Sequence, residues 1–446
     1  MTNIEADSSP PPTPELREAF WYWLKLGFIS FGGPAGQIAM MHQELVEKKR
    51  WISEKRFLHA LNYCMVLPGP EAQQLATYIG WLMHKKRGGL IAGGLFVLPS
   101  LLILIGLSWA YMRFGHLPQV AAILYGIKPA VVAIVLFAAY RIGKRVLKNT
   151  ILWGVAIAAF IAIAVLHWPF PAIILAAGFL GHLAQRYYPK QFNFNSAHAA
   201  SAKQYGAAVI DDDTPAPAHA LFNWAKFWRW LSIGMGIWLA AMGLLILTQG
   251  WQATLTQMGW FFSKAALLTF GGAYAVLPYV FQGAVEHYHW LTAHQMMDGL
   301  ALGETTPGPL IMVVAFVGFI GGWTQAVLGA DSLFLSGAVA AGVVTFFTFL
   351  PSFLFIFIGA PLIESTQNNL KLTAPLNAIT AAVVGVIVSL ALFFAQHVFV
   401  LNANKIDFLA IGIAIVSLLM LIKWNLSIIK LVMLSAVFGL IKLAFF

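Results

Sequence analysis

Apolar segments long enough to cross a lipid bilayer recur along this chain of 446 residues, from Phe20 to Phe446. The hydrocarbon core of a bilayer is about 30 Å thick, and a helix of about 20 apolar residues spans it. Only 10% of the residues are charged, whereas an ordinary soluble domain has about 25%. The segments also lack the alternation of polar and apolar residues that marks a barrel strand. The sequence therefore predicts an all-α polytopic membrane protein.

Two sets of apolar segments flank a polar stretch. The first set lies at 20–40, 57–83, 88–112, 119–140, 150–167 and 170–186. After the stretch come a lone span at 230–249 and a second set at 260–281, 293–323, 333–358, 374–396, 406–422 and 427–446. The stretch is rich in Ala, Asp, Ser and Pro, a linker composition that is not expected to bury a core. We therefore expect a disordered tail (1–18), a first repeat (19–186), a cytoplasmic linker (187–228), a linking transmembrane helix (229–250) and a second repeat (251–446).

The two sets are copies of one unit. At an offset of 239 residues, their registers agree without a gap over nearly fifty residues. This offset pairs Phe31-Gly32-Gly33 with Phe270-Gly271-Gly272, Trp51 with Trp290, and Pro68-Gly69-Pro70 with Pro307-Gly308-Pro309. An insertion then changes the offset to 252, which pairs Pro99-Ser100 with Pro351-Ser352. Two rare tripeptides and a Trp at one offset indicate a duplication.

Basic residues lie on opposite sides of the two halves. Loops 41–56 and 84–87 and the stretch 141–148 together carry twelve Lys and Arg. The matching loops 282–292, 324–332 and 397–405 contain only Lys405. Because short basic loops stay in the cytoplasm, the two halves are predicted to have inverted orientations, with the linking helix supplying the change of side.

Pro68-Gly69-Pro70 lies in the middle of the segment 57–83. Each proline removes an N–H group and clashes with the preceding turn, so a helix must stop and restart there. Basic loops on both sides favour a re-entrant hairpin, whose arms of about twelve residues would each cross half a bilayer. One long kinked span with a basic periplasmic loop is the alternative.

A restarted helix at this break offers a site for an anion. With Pro70 in the first position, the N–H groups of Glu71 and Gln73 lack intrahelical partners, and the positive end of the helix dipole attracts negative charge. The second copy, Pro307-Gly308-Pro309, repeats the break, and Thr305 and Thr306 add hydroxyl donors. A kink made only for helix packing is the alternative.

Paired glycines lie in the first segment of each half. Gly32 and Gly33 are followed by Gln37, and the matching pair Gly271-Gly272 is followed by Tyr274. Without side chains, these positions let the backbone approach a substrate closely. They equally let two helices pack closely, and the sequence favours neither interpretation.

Three lysines are candidates for cationic contacts. Lys25 and Lys264 are equivalent at the offset of 239 and precede the glycine pairs. An ammonium group among apolar residues is costly unless it faces water, a carboxylate or an anion, so these two are the preferred contacts. Both lie near segment starts, where snorkelling to the interface is the alternative. Lys128 is a weaker candidate because its partner position is Thr380.

Three carboxylates are candidates for carrying a proton. Glu71 and Glu304 flank the two Pro-Gly-Pro motifs on opposite sides, and Asp298 matches His59. A buried carboxylate can hold a proton that is coupled to transport. A salt bridge or an interhelical hydrogen bond is the alternative for each of them.

Several functional classes do not fit this sequence. The net charge of +10 comes from Lys and Arg in loops between apolar spans, where membrane insertion requires them, so nucleic acid is not an expected partner. Cys64 is the only cysteine, which excludes an intramolecular disulfide and a thiolate metal site. Phosphate-cradling loops, His clusters and nucleophile elbows are absent from the sequence. We expect no metal, no cofactor and no catalytic residues.

The sequence motifs resemble those of a known family. SFGGPAGQIAMMHQELVEKKRWISEKRFLHALNYCMVLPGPEAQQLATYIGWL is similar to the first-repeat signature of the chromate ion transporter family. LTFGGAYAVLPYV and LALGETTPGPLIMVVAFVGF resemble its second-repeat signature. The resemblance extends over about residues 20–445. Ala273-Tyr274 departs from the Gly-His that relatives often have, which puts a His role there in doubt.

This resemblance implies a long-chain, two-domain exporter of chromate in the bacterial inner membrane, driven by the membrane energy gradient and inhibited by sulfate. The lipid bilayer and chromate are then the partners, and a homodimer is compatible with this interpretation. A transporter of sulfate or another oxyanion, an anion channel, and a membrane enzyme acting on an anionic substrate are the alternatives. The family motifs point to Gly32, Gly33, Pro68, Gly69, Pro70, Gly271, Gly272, Pro307, Gly308 and Pro309 as substrate-binding positions.

Overall fold

A computed structural model describes residues 10–187, 205–215, 217, 219–270, 272–365, 373–401 and 405–445. The helices of the first half are α1 (Leu16–Ile29), α2 (Gly33–His42), α3 (Glu54–Cys64), α4 (Glu71–Phe114), α5 (Pro118–Val146), α6 (Thr150–Ala164) and α7 (Phe170–Tyr187). Then follow α8 (Trp224–Gln249), α9 (Thr254–Leu268), α10 (Ala273–Phe281), α11 (Ala293–Thr305), α12 (Val313–Thr324), α13 (Leu333–Ser365), α14 (Thr373–Phe399), α15 (Phe408–Lys423) and α16 (Ile428–Phe445). Two short antiparallel strands, β1 (Val400–Leu401) and β2 (Lys405–Ile406), join α14 to α15.

The duplication is confirmed in the order of the elements. Helices α1, α2 and α3 correspond to α9, α10 and α11. Even a π-helical turn recurs, since Gln43–Lys48 after α2 matches Gln282–His287 after α10 at the offset of 239. The π-turn therefore belongs to the repeated unit.

Both glycine pairs break a helix. The apolar segment 20–40 is two helices, because Ser30 and Phe31 are not helical and α2 starts at Gly33. Gly32 has a φ of 90° and Gly33 one of 69°, which are values that residues with a side chain rarely adopt. Gly272 has a φ of 96° and precedes α10 in the same way. Gly271 lies outside the described residues.

Both Pro-Gly-Pro motifs also break a helix, as the chemistry of proline requires. Helix α3 ends at Cys64 and α4 starts at Glu71. In the second half, α11 ends at Thr305, and a 3-10 turn at Leu310–Met312 leads into α12. Gly69 and Gly308 have φ values of 128° and 102°. The chain thus turns at glycines, which adopt positive φ values without steric strain.

The arms on either side of Pro68-Gly69-Pro70, α3 and the first arm of α4, pack against each other. Their outer ends contact the same stretch of chain: Arg56 Nη2 donates to the carbonyl oxygen of Thr214, and a ring nitrogen of His219 lies 3.0 Å from the carbonyl oxygen of Trp81. Helix α4 itself folds back at His84 and Lys85, whose φ and ψ are not helical.

Glycines let the two arms of α4 pack closely. A methyl group added at Gly80 would lie 2.5 Å from the carbonyl oxygen of Gly88, and one added at Gly93 would lie 2.2 Å from Thr77 Oγ1. No larger residue fits between the backbones at these points.

Three expected boundaries need correction. The linker 187–228 was not expected to bury a core, yet Ala208, Ile210 and Ala220 within it are buried. Ile210 forms a parallel β-bridge with Ile52, which attaches this stretch to the first half. Helix α1 starts at Leu16, inside the expected tail. The basic stretch 141–148 is not a loop, because α5 continues to Val146.

By length and composition, six helices within the described residues can cross a membrane: Glu71–Phe114, which folds back at His84 and Lys85, and Pro118–Val146, Trp224–Gln249, Ala330–Glu364, Ala374–Phe399 and Ile428–Phe445. Shorter apolar helices accompany them at Thr150–Ala164, Leu310–Thr324 and Phe408–Lys423. The linking helix α8 is the least buried of the six, and Gly234 and Met242 are its buried residues. It therefore lies at the periphery, against α9 and α13.

The last three helices of each half hold the halves together. Helix α5 packs against α14, α15 and α16, and α14 packs in turn against α5, α6 and α7. Small residues bring the backbones into contact: a methyl group at Gly126 would lie 2.0 Å from the carbonyl oxygen of Ser435, and one at Gly439 would lie 2.0 Å from that of Ala122. This reciprocal packing is what a pseudo-two-fold axis produces.

Candidate functional site

Four helix starts meet at one small cavity in the middle of the protein. Its lining residues are Pro34, Gln37, Pro70, Glu71, Ala72, Gly272, Ala273, Pro309 and Leu310. They belong to the first turns of α2, α4, α10 and the 3-10 turn before α12. The first N–H groups of a helix lack intrahelical partners and carry the positive end of the helix dipole, so several helix starts at one cavity make its surroundings electropositive. The combination favours a negatively charged ligand.

The two halves exchange equivalent hydrogen bonds beside this cavity. The N–H group of Gly69 donates to the carbonyl oxygen of Thr269 at 2.7 Å, and that of Gly308 donates to the carbonyl oxygen of Ser30 at 3.0 Å. Adding the offset of 239 to Gly69 and Ser30 gives Gly308 and Thr269, so the two bonds are equivalent in the two repeats. Each Pro-Gly-Pro break is thereby tied to the glycine-pair break of the opposite half.

A pair of serines lies next to these breaks. A methyl group added at Gly308 would lie 2.7 Å from Ser100 Cβ, and one added at Gly69 would lie 2.5 Å from Ser352 Oγ. Both serines are buried, and neither hydroxyl has a hydrogen-bond partner among the described residues. The offset of 252 relates them. Two symmetry-related hydroxyl donors are therefore free close to the Pro-Gly-Pro breaks.

Gln37 connects the two halves directly. Its Nε2 atom donates to the carbonyl oxygens of Ser30, at 3.0 Å, and of Gly308. Its Oε1 atom is buried without a partner among the described residues, as is that of Gln73 on the first turns of α4. Nε2 of Gln73 donates to Thr77 Oγ1 at 3.1 Å. The polar groups of the site are thus only partly satisfied.

Two carboxylates and two arginines surround the helix starts. Glu71 lines the cavity, and Glu304 accepts a hydrogen bond from the hydroxyl of Tyr274. Arg145 interacts electrostatically with Glu71, and Arg141 with Glu304. The arginines lie one turn apart near the end of α5, on one face of that helix. Their charges offset those of the carboxylates.

Other predicted residues do not join this cluster. Lys25 is exposed on α1, and Lys264 Nζ lies 5.5 Å from the ring centre of Trp260. Thr305 and Thr306 donate their hydroxyls to backbone oxygens of their own helix, those of Leu302 and Gly303, both at 2.9 Å. None of the four lines the cavity. Among the described residues, no group of three His, Cys, Asp or Glu is suited to hold a metal ion.

The family can be identified from the whole sequence. The model of the family described as "Chromate transporter" matches residues 17–182 and 256–440, one match for each half. The chain belongs to the chromate transporter family. The two matches also agree with the division of this family member into two repeats.

Curated relatives cover most of the chain. It is 31% identical to the "Chromate transport protein" of Cupriavidus metallidurans, over 93% of this chain and 90% of the relative. It is 32% identical to the "Chromate transport protein" of Pseudomonas aeruginosa, over 93% and 88%. A "Probable chromate transport protein" of Synechococcus elongatus is 29% identical over 84% of both chains. No solved structure matches.

Sequence reasoning missed several residues of the candidate site. Ser100 and Ser352 were recognised only as a matched pair of positions, although pairing of a buried polar residue across the repeats was a usable signal. Arg141 and Arg145 were interpreted as loop residues that set the orientation. Their four-residue spacing, typical of one helix face, was the signal available.

Proposed function

We propose that this protein exports chromate across the inner membrane of a bacterium, driven by the membrane potential or an ion gradient, and so confers chromate resistance. The convergence of four helix starts on one cavity carries this proposal, because it creates a site for an anion at the meeting point of two inverted repeats. Family membership supplies the identity of the anion.

The chemistry of the cavity suits a tetrahedral oxyanion. Chromate presents acceptors only, and the backbone N–H groups at the helix starts present donors. The hydroxyls of Ser100 and Ser352 do not line the cavity as it stands and join these donors when the Pro-Gly-Pro breaks move apart. Arg141 and Arg145 lie on the approach from the predicted cytoplasmic side. Sulfate has the same charge and shape, so it is expected to compete for the same donors.

Binding requires the cavity to widen. Its volume is about 10 Å³, which is room for about one water molecule. At the breaks themselves, one backbone hydrogen bond joins each Pro-Gly-Pro glycine to the opposite half, at Gly69 and at Gly308, and Gln37 adds a side-chain bond to the carbonyl oxygen of Gly308. We infer that these breaks separate when the anion enters and that Glu71 and Glu304 exchange protons as the charge in the site changes.

Radiolabelled chromate uptake into inverted membrane vesicles tests the function. Vesicles that contain the protein should accumulate chromate when energised and more slowly when not, and excess sulfate should reduce the rate. Empty vesicles are the control. Uptake no greater than theirs, with or without a gradient, contradicts the proposal, and uptake only into right-side-out vesicles indicates an importer.

Two lysine variants test the composition of the site. Lys25 and Lys264 lie away from the cavity, so Lys25→Ala and Lys264→Ala should leave the KM for chromate unchanged if the helix starts and serines bind the anion. A KM raised about tenfold in either variant, equivalent to the loss of one charge-assisted hydrogen bond, would instead return that lysine to the binding site.

A further inference from the structure

A second cavity lies away from the central one, between α5, α11 and α14. Its volume is about 280 Å³, and its lining residues are Ala121, Tyr125, Lys128, Pro129, His294, His397, Val398, Asp407 and Ala410. His294 and His397 are exposed, with ring centres 6.1 Å apart. The loops at this end, 282–292 and 397–405, contain a single Lys and no Arg, and they are predicted to be extracytoplasmic. Water from that side can therefore reach the cavity.

A buried carboxylate lies behind this cavity. Asp298 has a side chain that is 3% exposed, and its Oδ2 atom lies 3.6 Å from Lys128 Nζ. This distance is longer than a hydrogen bond, so the ion pair is loose. The hydroxyl of Tyr111 donates to the same Oδ2 atom at 2.9 Å. The Oδ1 atom is buried without a partner among the described residues.

This arrangement differs from that of a purely structural ion pair. A buried carboxylate that only holds helices together is normally satisfied at both oxygens, because an unmatched charged atom is costly. Asp298 does not itself line the cavity, but its counter-ion Lys128 and its helix neighbour His294 do, and one unpartnered carboxylate oxygen behind them is suited to accept a proton and release it. His294 and Asp298 are four residues apart on α11, on one face of the helix.

The groups that face Asp298 and the cavity come from every element packed there. Asp407 accepts a hydrogen bond from the hydroxyl of Tyr125 at 2.7 Å, and Lys442 Nζ lies 3.5 Å from the ring centre of Tyr125. The full set is Tyr111 on α4, Tyr125 and Lys128 on α5, His294 on α11, His397 on α14, Asp407 before α15 and Lys442 on α16. When the histidines are neutral, the negative charges of Asp298 and Asp407 equal the positive charges of Lys128 and Lys442. The cavity therefore does not strongly favour an anion.

Helix α11 connects this carboxylate to the central site. Glu304 follows Asp298 by six residues, about 9 Å along the helix axis. The Asp298–Lys128 pair has no symmetry-related counterpart, since the matching positions are His59 in the first half and Thr380 in the second. An anion site built from equivalent residues of both halves is nearly symmetric. Proton uptake from one side of the membrane needs an asymmetric group, and the Asp298–Lys128 pair is one.

We propose that Asp298 takes up protons from the extracytoplasmic cavity, ahead of the exchange at Glu304, and so couples anion movement to protons, with Lys128 as its counter-ion. A proton on Asp298 breaks the ion pair and frees the Lys128 ammonium, and loss of the proton restores the pair. This inference rests on the proposed function, since it assigns the energy source of the same anion transport.

The test uses the purified full chain in proteoliposomes, with labelled chromate or sulfate. Exchange of label at equal concentrations on both sides needs no driving force, whereas net flux under an imposed pH gradient does. Asp298→Asn should retain exchange within about twofold of the wild type and lose stimulation by the pH gradient, because an amide cannot titrate. Asp331→Asn removes an exposed carboxylate of the same half and should change neither rate.

Lys128→Gln gives a readout that a structural role would not alter. Without the ammonium group, the carboxyl of Asp298 stays protonated to a higher pH. The pH profile of gradient-driven flux should therefore move about one unit towards alkaline pH. Asp298→Asn combined with Lys128→Gln leaves no unpaired buried charge and should fold, exchange anions and ignore the pH gradient.

Each outcome decides between the two proposals. Full stimulation by the pH gradient in Asp298→Asn, an unmoved pH profile in Lys128→Gln, or loss of exchange in the double variant overturns the assignment of Asp298. Wild-type protein that exchanges neither chromate nor sulfate overturns the proposed function itself, whatever the variants do.

Discussion

At the scale of single residues, glycines and serines shape the centre of the protein. Gly69 and Gly308 adopt positive φ values and lie against Ser352 and Ser100 of the opposite half. A side chain at either glycine would strain the backbone and collide with the serine. The close approach leaves both serine hydroxyls buried and free to donate to a ligand.

Ser100→Ala and Ser352→Ala should each raise the KM for chromate about tenfold, because a hydrogen bond to a charged group contributes about 1.5–3 kcal/mol. The midpoint temperature of thermal unfolding in detergent should be unchanged or slightly higher, since each substitution removes a buried hydroxyl without a partner among the described residues. Chromate uptake and unfolding are measured in parallel.

Ser108→Ala is the matched control for the serine variants. Ser108 is also buried and unpartnered among the described residues, but it lies eight residues beyond Ser100 on α4, about 12 Å along the axis. An unchanged KM in Ser100→Ala and Ser352→Ala would remove these hydroxyls from the binding site.

At the scale of elements, a buried ion pair holds the first hairpin to the second half. Arg56 Nη1 lies 2.6 Å from Glu364 Oε2, with the side chains 16% and 3% exposed. The hydroxyl of Tyr78 donates to the same carboxylate. Arg56 also donates to the carbonyl oxygens of Asp211 and Thr214. This connection closes the predicted cytoplasmic end of α3 and of the first arm of α4 against α13.

Glu364→Gln should open this end of the hairpin. Removing one partner of a buried ion pair costs about 3–5 kcal/mol, because the other charge stays buried. Cys64, the only cysteine, is buried at the inner end of α3. Its reaction with a maleimide in inverted vesicles should therefore become at least about tenfold faster, since local opening limits the reaction.

The matched control for this variant is Glu44→Gln, which breaks the exposed pair between Glu44 and Lys48 at 3.1 Å. Exposed pairs of this kind contribute little, so the labelling rate should stay at the wild-type value. Equal rates in both variants would show that the Arg56–Glu364 pair does not close the hairpin.

At the scale of the whole molecule, reciprocal contacts relate the halves by a pseudo-two-fold axis. The hydrogen bonds of Gly69 and Gly308 and the packing of α5 against α14 are the local signs of it. The distribution of basic residues predicts that this axis lies in the membrane plane, so equivalent loops face opposite compartments.

Cysteine labelling tests this orientation in a Cys64→Ala background. Lys55 is exposed in a basic region of the first half, and Asp331 is exposed in a loop of the second. With an impermeant maleimide, Asp331→Cys should react in intact cells, and Lys55→Cys should react only in inverted vesicles. Reaction of both from the same side would contradict the inversion of the halves.

The sequence alone determined the membrane class, the duplication and the points at which helices break. These properties depend on local chemistry: apolar length, repeated register, and the missing N–H groups of Pro68, Pro70, Pro307 and Pro309. The order of the helices along the chain followed from the recurring apolar segments.

Only the tertiary structure decided which of these features meet. It brought four helix starts to one cavity, set Ser100 against Gly308, placed Lys25 on the exterior, and packed residues 205–220 against the first half. Such contacts join residues far apart in the chain. They depend on how helix faces pack against each other, and the composition of a single segment does not specify that packing.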